Sequence, residues 1–186
     1  MESLIRKIPA YAGDVKINLK ELFENGGVLL TGQQLYGVAL TVGYLLNHEP
    51  LLNHIRANAK MFLEEADAHA CKVAAVVMSM TNTYFNFTHL VEGEGIKQVP
   101  HKLYMQSMLD PGVKMVDFKM YCLGASILNG CKYCINVHVE ELMRMQVSKE
   151  VICDIGRVVS VLRAVQNVLN IEYMRSYDFI ARESTI

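Results

Sequence analysis

The chain has 186 residues, 52 % of them hydrophobic, and a formal net charge of −1 from 18 basic and 19 acidic side chains. That is enough apolar material for one domain with a substantial core, and too much for a disordered chain. Without a surplus of basic residues there is no electrostatic footprint for nucleic acid, because phosphate binding needs a concentrated positive surface.

The first stretch, MESLIRKIPAYAGD, has two basic residues with no apolar run behind them, so no secretory signal is expected. Thr31 and Gln34 have the spacing of a capping box and predict a helix over about 32–47. Its segment LYGVALTVGYLL is apolar but shorter than the ~20 residues that span a bilayer, so it reads as a buried helix of a soluble protein. Pro50 suits the first turn of the next helix. A long apolar stretch follows over roughly 60–85, and NFTHLVEGEGIKQVPHK, with Gly93, Gly95 and Pro100, predicts a loop.

Asp110-Pro111-Gly112 marks a turn, and a helix is expected from about 114 to 128, stopped by Asn129-Gly130. The next helix should begin near Cys131 and run to about 146. Ser148 caps another, which Gly156 is expected to separate from a final long helix. There Val158, Val161, Leu162, Val165, Val168 and Leu169 form one apolar stripe. No strand-like alternation is sustained, so the fold class is all-α. We read residues 1–186 as a single helical domain. A faint internal repeat pairs about 60–95 with 110–146, since Tyr84, His89 and Glu92 recur as Tyr133, His138 and Glu141.

The five cysteines form an odd set without an extracellular signal, which points to a reducing, cytoplasmic compartment. Cys71, Cys122 and Cys153 sit in apolar helical contexts and read as small buried residues. Cys131 and Cys134 are different. With a helix starting near Cys131, the residues Cys131, Cys134 and His138 fall on one face. Unpaired N–H groups and the dipole at the helix N-terminus stabilise a thiolate, and His138 is one turn from Cys134 and can take its proton. Cys131 is then placed to attack an oxidised Cys134 and close a disulfide. Haem attachment requires histidine directly after the second cysteine, where Ile135 stands. A thioredoxin-like motif requires a preceding strand, and here a helix precedes. Zinc remains open, since Cys131, Cys134 and His138 supply three ligands of the four that a structural site uses, and so does the reading of the pair as two inert buried thiols.

Leu128-Asn129-Gly130-Cys131 through His138 resembles the INGC-x-x-C-x-x-x-H motif of alkylhydroperoxidase D proteins, within the carboxymuconolactone decarboxylase superfamily. IPAYAGDVKINL, LTGQQLYGVAL, MSMTNTYF and DPGVKMVDFKMYCLGASILNG extend the likeness over most of the chain, in the same order. The resemblance implies an all-helical homo-oligomer, commonly a trimer, whose protomers have two similar halves. It also implies a dithiol that reduces hydroperoxides in antioxidant defence, or passes electrons from dihydrolipoamide to a peroxiredoxin partner, without haem, flavin, metal or membrane. Cys134 then corresponds to the peroxide-attacking thiol, Cys131 to the resolving thiol and His138 to the relay histidine.

Two positions depart from that pattern. Lys119 stands where the family carries a relay glutamate, and Tyr133 stands where some members carry a histidine between the cysteines. Both changes alter the relay and leave the dithiol intact. Lys119 reads equally as a surface lysine, Tyr133 as packing under the site, and Glu140 and Glu141 as a solvated face. His69, His89 and His101 read as structural or solvent-exposed. The competing functions are lactone decarboxylation of the kind in the superfamily's name, which needs no dithiol, and a non-enzymatic helical oligomer with structural zinc or a redox-sensing disulfide.

Overall fold

A computed structural model describes residues 1–93 and 95–183. The described residues form helices and turns and no strand. A short helix, α1 (Glu2–Ile5), precedes α2 (Gly13–Phe23), α3 (Gly32–Leu46), α4 (Glu49–Ala59) and α5 (Glu65–Leu90). A long connection then leads to α6 (Met115–Leu128), α7 (Lys132–Arg144) and α8 (Lys149–Glu183). No described helix is long and apolar enough to cross a membrane.

The capping box at Thr31 forms as expected: Thr31 Oγ1 accepts from Gln34 N at 3.2 Å, and Gln34 Oε1 accepts from Thr31 N at 3.1 Å. It starts α3, which is apolar on nearly every side and is therefore the central helix. α3 packs against α4, α5, α6 and α8. Leu35, Val38, Ala39, Leu40 and Val42 meet Phe118, Tyr121, Cys122, Leu123 and Ala125 of α6 within one buried cluster. Gly37 lets the two helices close up, because a Cβ there would stand against the Tyr121 ring. Pro50 lies in the first turn of α4, where its missing N–H costs no hydrogen bond.

Three expectations about the elements need correction. Gly156 does not break the last helix, since α8 runs without interruption from Lys149. A helical glycine costs only ~1 kcal/mol relative to alanine. The buried flanks Ile155, Val158 and Val159 carry the helix across it. The loop begins later than expected, because nothing before Gly93 stops a helix and the NFTHL segment completes α5. The connection that follows contains the short 3₁₀ turns Ile96–Gln98 and Gln106–Met108, and its Glu94 lies outside the described residues. Finally, Cys153 is exposed, whereas Cys71 and Cys122 are buried as expected.

Of the two repeat segments, the first is dominated by the single helix α5 and the second is split at Asn129–Gly130 into α6 and α7. That split creates a helix N-terminus at the cysteine motif.

Candidate active site

The site begins where α6 stops. The chain reverses at Asn129 and Gly130, and Gly130 takes φ +65°, a left-handed conformation that favours glycine. Cys131 N then donates to Ser126 O at 3.1 Å, which fixes Cys131 as the N-cap of α7. Its Sγ accepts from Cys134 N at 3.3 Å. Cys131 and Cys134 are joined as a disulfide with Cα atoms 5.3 Å apart, a separation that a disulfide spans readily. Cys131 is 0 % exposed and Cys134 6 %.

Cys134, His138 and Glu141 follow one another along α7 on the face that borders a pocket of about 180 Å³. Met78, Phe85, Met105, Met108 and Val137 supply its apolar lining, and Lys119 of α6 also borders it. Cys134 lines this pocket and Cys131 does not. The structure therefore gathers the three residues singled out from the motif, and only one of the two cysteines borders the cavity.

His138 is buried. Its Nδ1 donates to Glu141 Oε2 at 3.3 Å, since a carboxylate can only accept, and its Nε2 lies 3.4 Å from the thioether sulfur of Met78. Burial lowers the pKa of the ring, the Lys119 charge lowers it further, and Glu141 opposes both. The outcome favours a neutral imidazole, the form that can accept a proton. Burial pushes the Cys71 and Cys122 thiols up to about 12, so neither is a nucleophile near neutral pH.

Three flanking residues, Lys119, Glu141 and Tyr133, differ from the sequence reading. The Lys119 side chain is only 16 % exposed and its Nζ lies 2.8 Å from Glu141 Oε2, so it is not a surface lysine. Glu141 is not part of a solvated face either, because the same oxygen meets both Lys119 and His138. Glu140 is such a residue, exposed and paired with Arg144. The signal for Glu141 was present as its helical spacing from His138, one turn on.

Tyr133 is not packed under the site. It lies partly exposed beside the pocket, its ring stacked on His89 at 4.3 Å and tilted against Phe85 at 5.2 Å. His101 accepts from Leu103 N and contacts the Phe85 ring. Among the described residues, no group of three or more His, Cys, Asp or Glu side chains is placed to hold a metal ion. The disulfide itself engages two of the three ligands considered for zinc.

Comparison with known proteins finds relatives over most of the chain. Residues 98–171, which include α6 and α7, match the carboxymuconolactone decarboxylase family. "Alkyl hydroperoxide reductase AhpD" of Coxiella burnetii (strain RSA 493 / Nine Mile phase I) is 36 % identical over 167 residues, 89 % of this chain and 94 % of the relative. The protein of the same name from Rhodospirillum centenum is 35 % identical over 176 residues, 92 % of this chain and 91 % of its own length. That of Azorhizobium caulinodans is 39 % identical over 138 residues, 74 % and 75 % of the two chains.

Proposed function

The chain belongs to the alkylhydroperoxidase D group of the carboxymuconolactone decarboxylase family, and from that premise we propose that it is a thiol-dependent alkyl hydroperoxide reductase. The observation that carries this reading is the position of Cys134, which is joined to a wholly buried Cys131 yet itself borders an apolar pocket beside His138.

In the reduced protein, His138 Nε2 accepts the Cys134 proton and the thiolate attacks the outer oxygen of the hydroperoxide. The O–O bond breaks, Cys134 becomes a sulfenic acid, and the alkoxide takes the proton from His138 to leave as an alcohol. Cys131 sulfur then attacks the Cys134 sulfur. Hydroxide leaves and is protonated to water by the Cys131 proton, and the disulfide forms. A dithiol donor restores both thiols by two exchange steps and becomes a disulfide itself. Dihydrolipoamide or a peroxiredoxin-linked system suits that role. The apolar lining favours organic hydroperoxides over hydrogen peroxide, because burying the alkyl group contributes ~25 cal/mol per Å². A part in antioxidant defence follows from that chemistry.

A homo-oligomer, a trimer or a multiple of one, is part of the same proposal. Val76, Met80, Phe87 and Leu90 are exposed along the outer side of α5 at heptad spacing, which supports helix–helix association there. The test of function is turnover. With excess dihydrolipoamide, catalytic amounts of protein are expected to consume many equivalents of cumene hydroperoxide. A reaction that stops after one equivalent, or never starts, overturns the reading.

A further inference from the structure

Lys119 occupies the position where the family's glutamate is expected, yet the site still contains a carboxylate. It comes from α7. Glu141 Oε2 lies 3.3 Å from Nδ1 of His138 and 2.8 Å from Nζ of Lys119, so ring, carboxylate and ammonium stand in line on the pocket wall. We propose that Glu141 is the positioning residue for His138, held in place by Lys119, and that the relay has exchanged the helices which carry its charges. The inference rests on the reading of His138 as the proton carrier for Cys134.

Burial separates this pair from ordinary surface ion pairs. The Arg144–Glu140 pair on the same helix has side chains 76 % and 65 % exposed, and such pairs are worth little. The Lys119 and Glu141 side chains are 16 % and 30 % exposed. An ammonium so enclosed is costly unless paired, which ties Lys119 to Glu141 specifically. Partial burial pushes the Glu141 carboxyl up, but its bond and charge contact with Lys119, together with His138, outweigh that and leave it below its ordinary value. Glu141 therefore stays ionised through the neutral range and always accepts.

An acceptor at Nδ1 selects the tautomer. The proton is kept on Nδ1, and Nε2 becomes the nitrogen that exchanges protons with the reaction. At rest the unprotonated Nε2 lies 3.4 Å from the Met78 thioether, which has no proton to donate, so its lone pair stays available to a thiol. The charges on either side of His138 act oppositely. Glu141 favours the imidazolium that forms when Cys134 is deprotonated, while burial first and the Lys119 charge second favour the neutral ring at rest. Of the other neighbours, Met78, Thr81 and Phe85 of α5 and Met105 and Met108 of the connection before α6 carry no charge, while α7 adds two titratable groups, the Tyr133 phenol and, in the reduced protein, the Cys134 thiol.

The test compares wild type with Glu141→Gln and Lys119→Met, each fully reduced. NMR gives the midpoint of His138 titration. Stopped-flow gives the pH profile of single-turnover oxidation by cumene hydroperoxide. Glu141→Gln is expected to move the His138 midpoint to lower pH, to shift the acid limb of the rate the same way, and to slow the reaction ~10-fold or more. Lys119→Met is expected to move the midpoint to higher pH. A role confined to packing would not move the two midpoints in opposite directions. Unchanged midpoints, or shifts of the same sign, overturn the proposal. If the wild type fails to react with hydroperoxide, the functional reading falls, while the two midpoints still decide whether Glu141 controls His138.

Discussion

Replacing Cys134 with serine is expected to lower hydroperoxide reduction by ~1,000-fold or more, because the hydroxyl that results has neither the acidity nor the nucleophilicity of a thiol. Cys131→Ser should behave differently. It keeps one oxidising event per chain, stops at a Cys134 sulfenic acid, and loses multiple turnover. The helix N-terminus does not single out Cys134, since Cys131 is the N-cap of α7 and its Sγ accepts directly from Cys134 N. Access chooses. Cys134 borders the pocket and Cys131 is sealed beneath it. Single-turnover kinetics of the two variants, with trapping of sulfenic acid, check the order. Wild-type rates in Cys134→Ser, or a Cys131→Ser variant that resists oxidation, would reverse the assignment.

The second large effect is on stability. Gly37→Ala is expected to cost ~3 kcal/mol, at the upper end of overpacking. For a domain of this size that lowers Tm by ~6–12 °C. A Cβ at Gly37 would enter the space of the Tyr121 ring. Tyr121 is wholly buried on α6, so it has little room to withdraw. α6 also carries Lys119 and ends at the Asn129–Gly130 reversal that positions Cys131. Pushing it from α3 should therefore reduce activity together with stability. Gly156→Ala is the control, because nothing lies within 4 Å of a Cβ there and the backbone is helical. It should stabilise by ~0.5–1 kcal/mol. Chemical denaturation of both variants makes the comparison, and a Gly37→Ala variant as stable as wild type would show that α3 and α6 have slack between them.

Features that depend on a few neighbouring residues were legible in the sequence. Thr31 with Gln34, Pro50, and Asn129 with Gly130 placed helix ends correctly, because each satisfies or removes backbone hydrogen bonds locally. The all-α class followed from sustained helical periodicity, and family membership from the motif and its flanks. Cys153 shows how one misplaced boundary spreads. The stripe beginning at Val158, continued backward through an unbroken helix, puts Asp154 on the buried side and Cys153 on the opposite side, as the structure has them. A break expected at Gly156 discarded that helical phase. The link between Glu141 and Lys119 was obscure for another reason. Their pairing depends on how α6 and α7 cross, which no local pattern encodes, and a charged residue on one helix viewed alone reads as solvated.

The central claim, that Cys134 and Cys131 form a peroxide-reactive dithiol, is tested most directly by intact mass. The fully reduced protein is weighed before and after one equivalent of an organic hydroperoxide. The chain is expected to lose two hydrogen atoms, and peptide mapping should place the new bond between Cys131 and Cys134. An unchanged mass, or oxygen added at the exposed Cys153 with the pair still reduced, would contradict it.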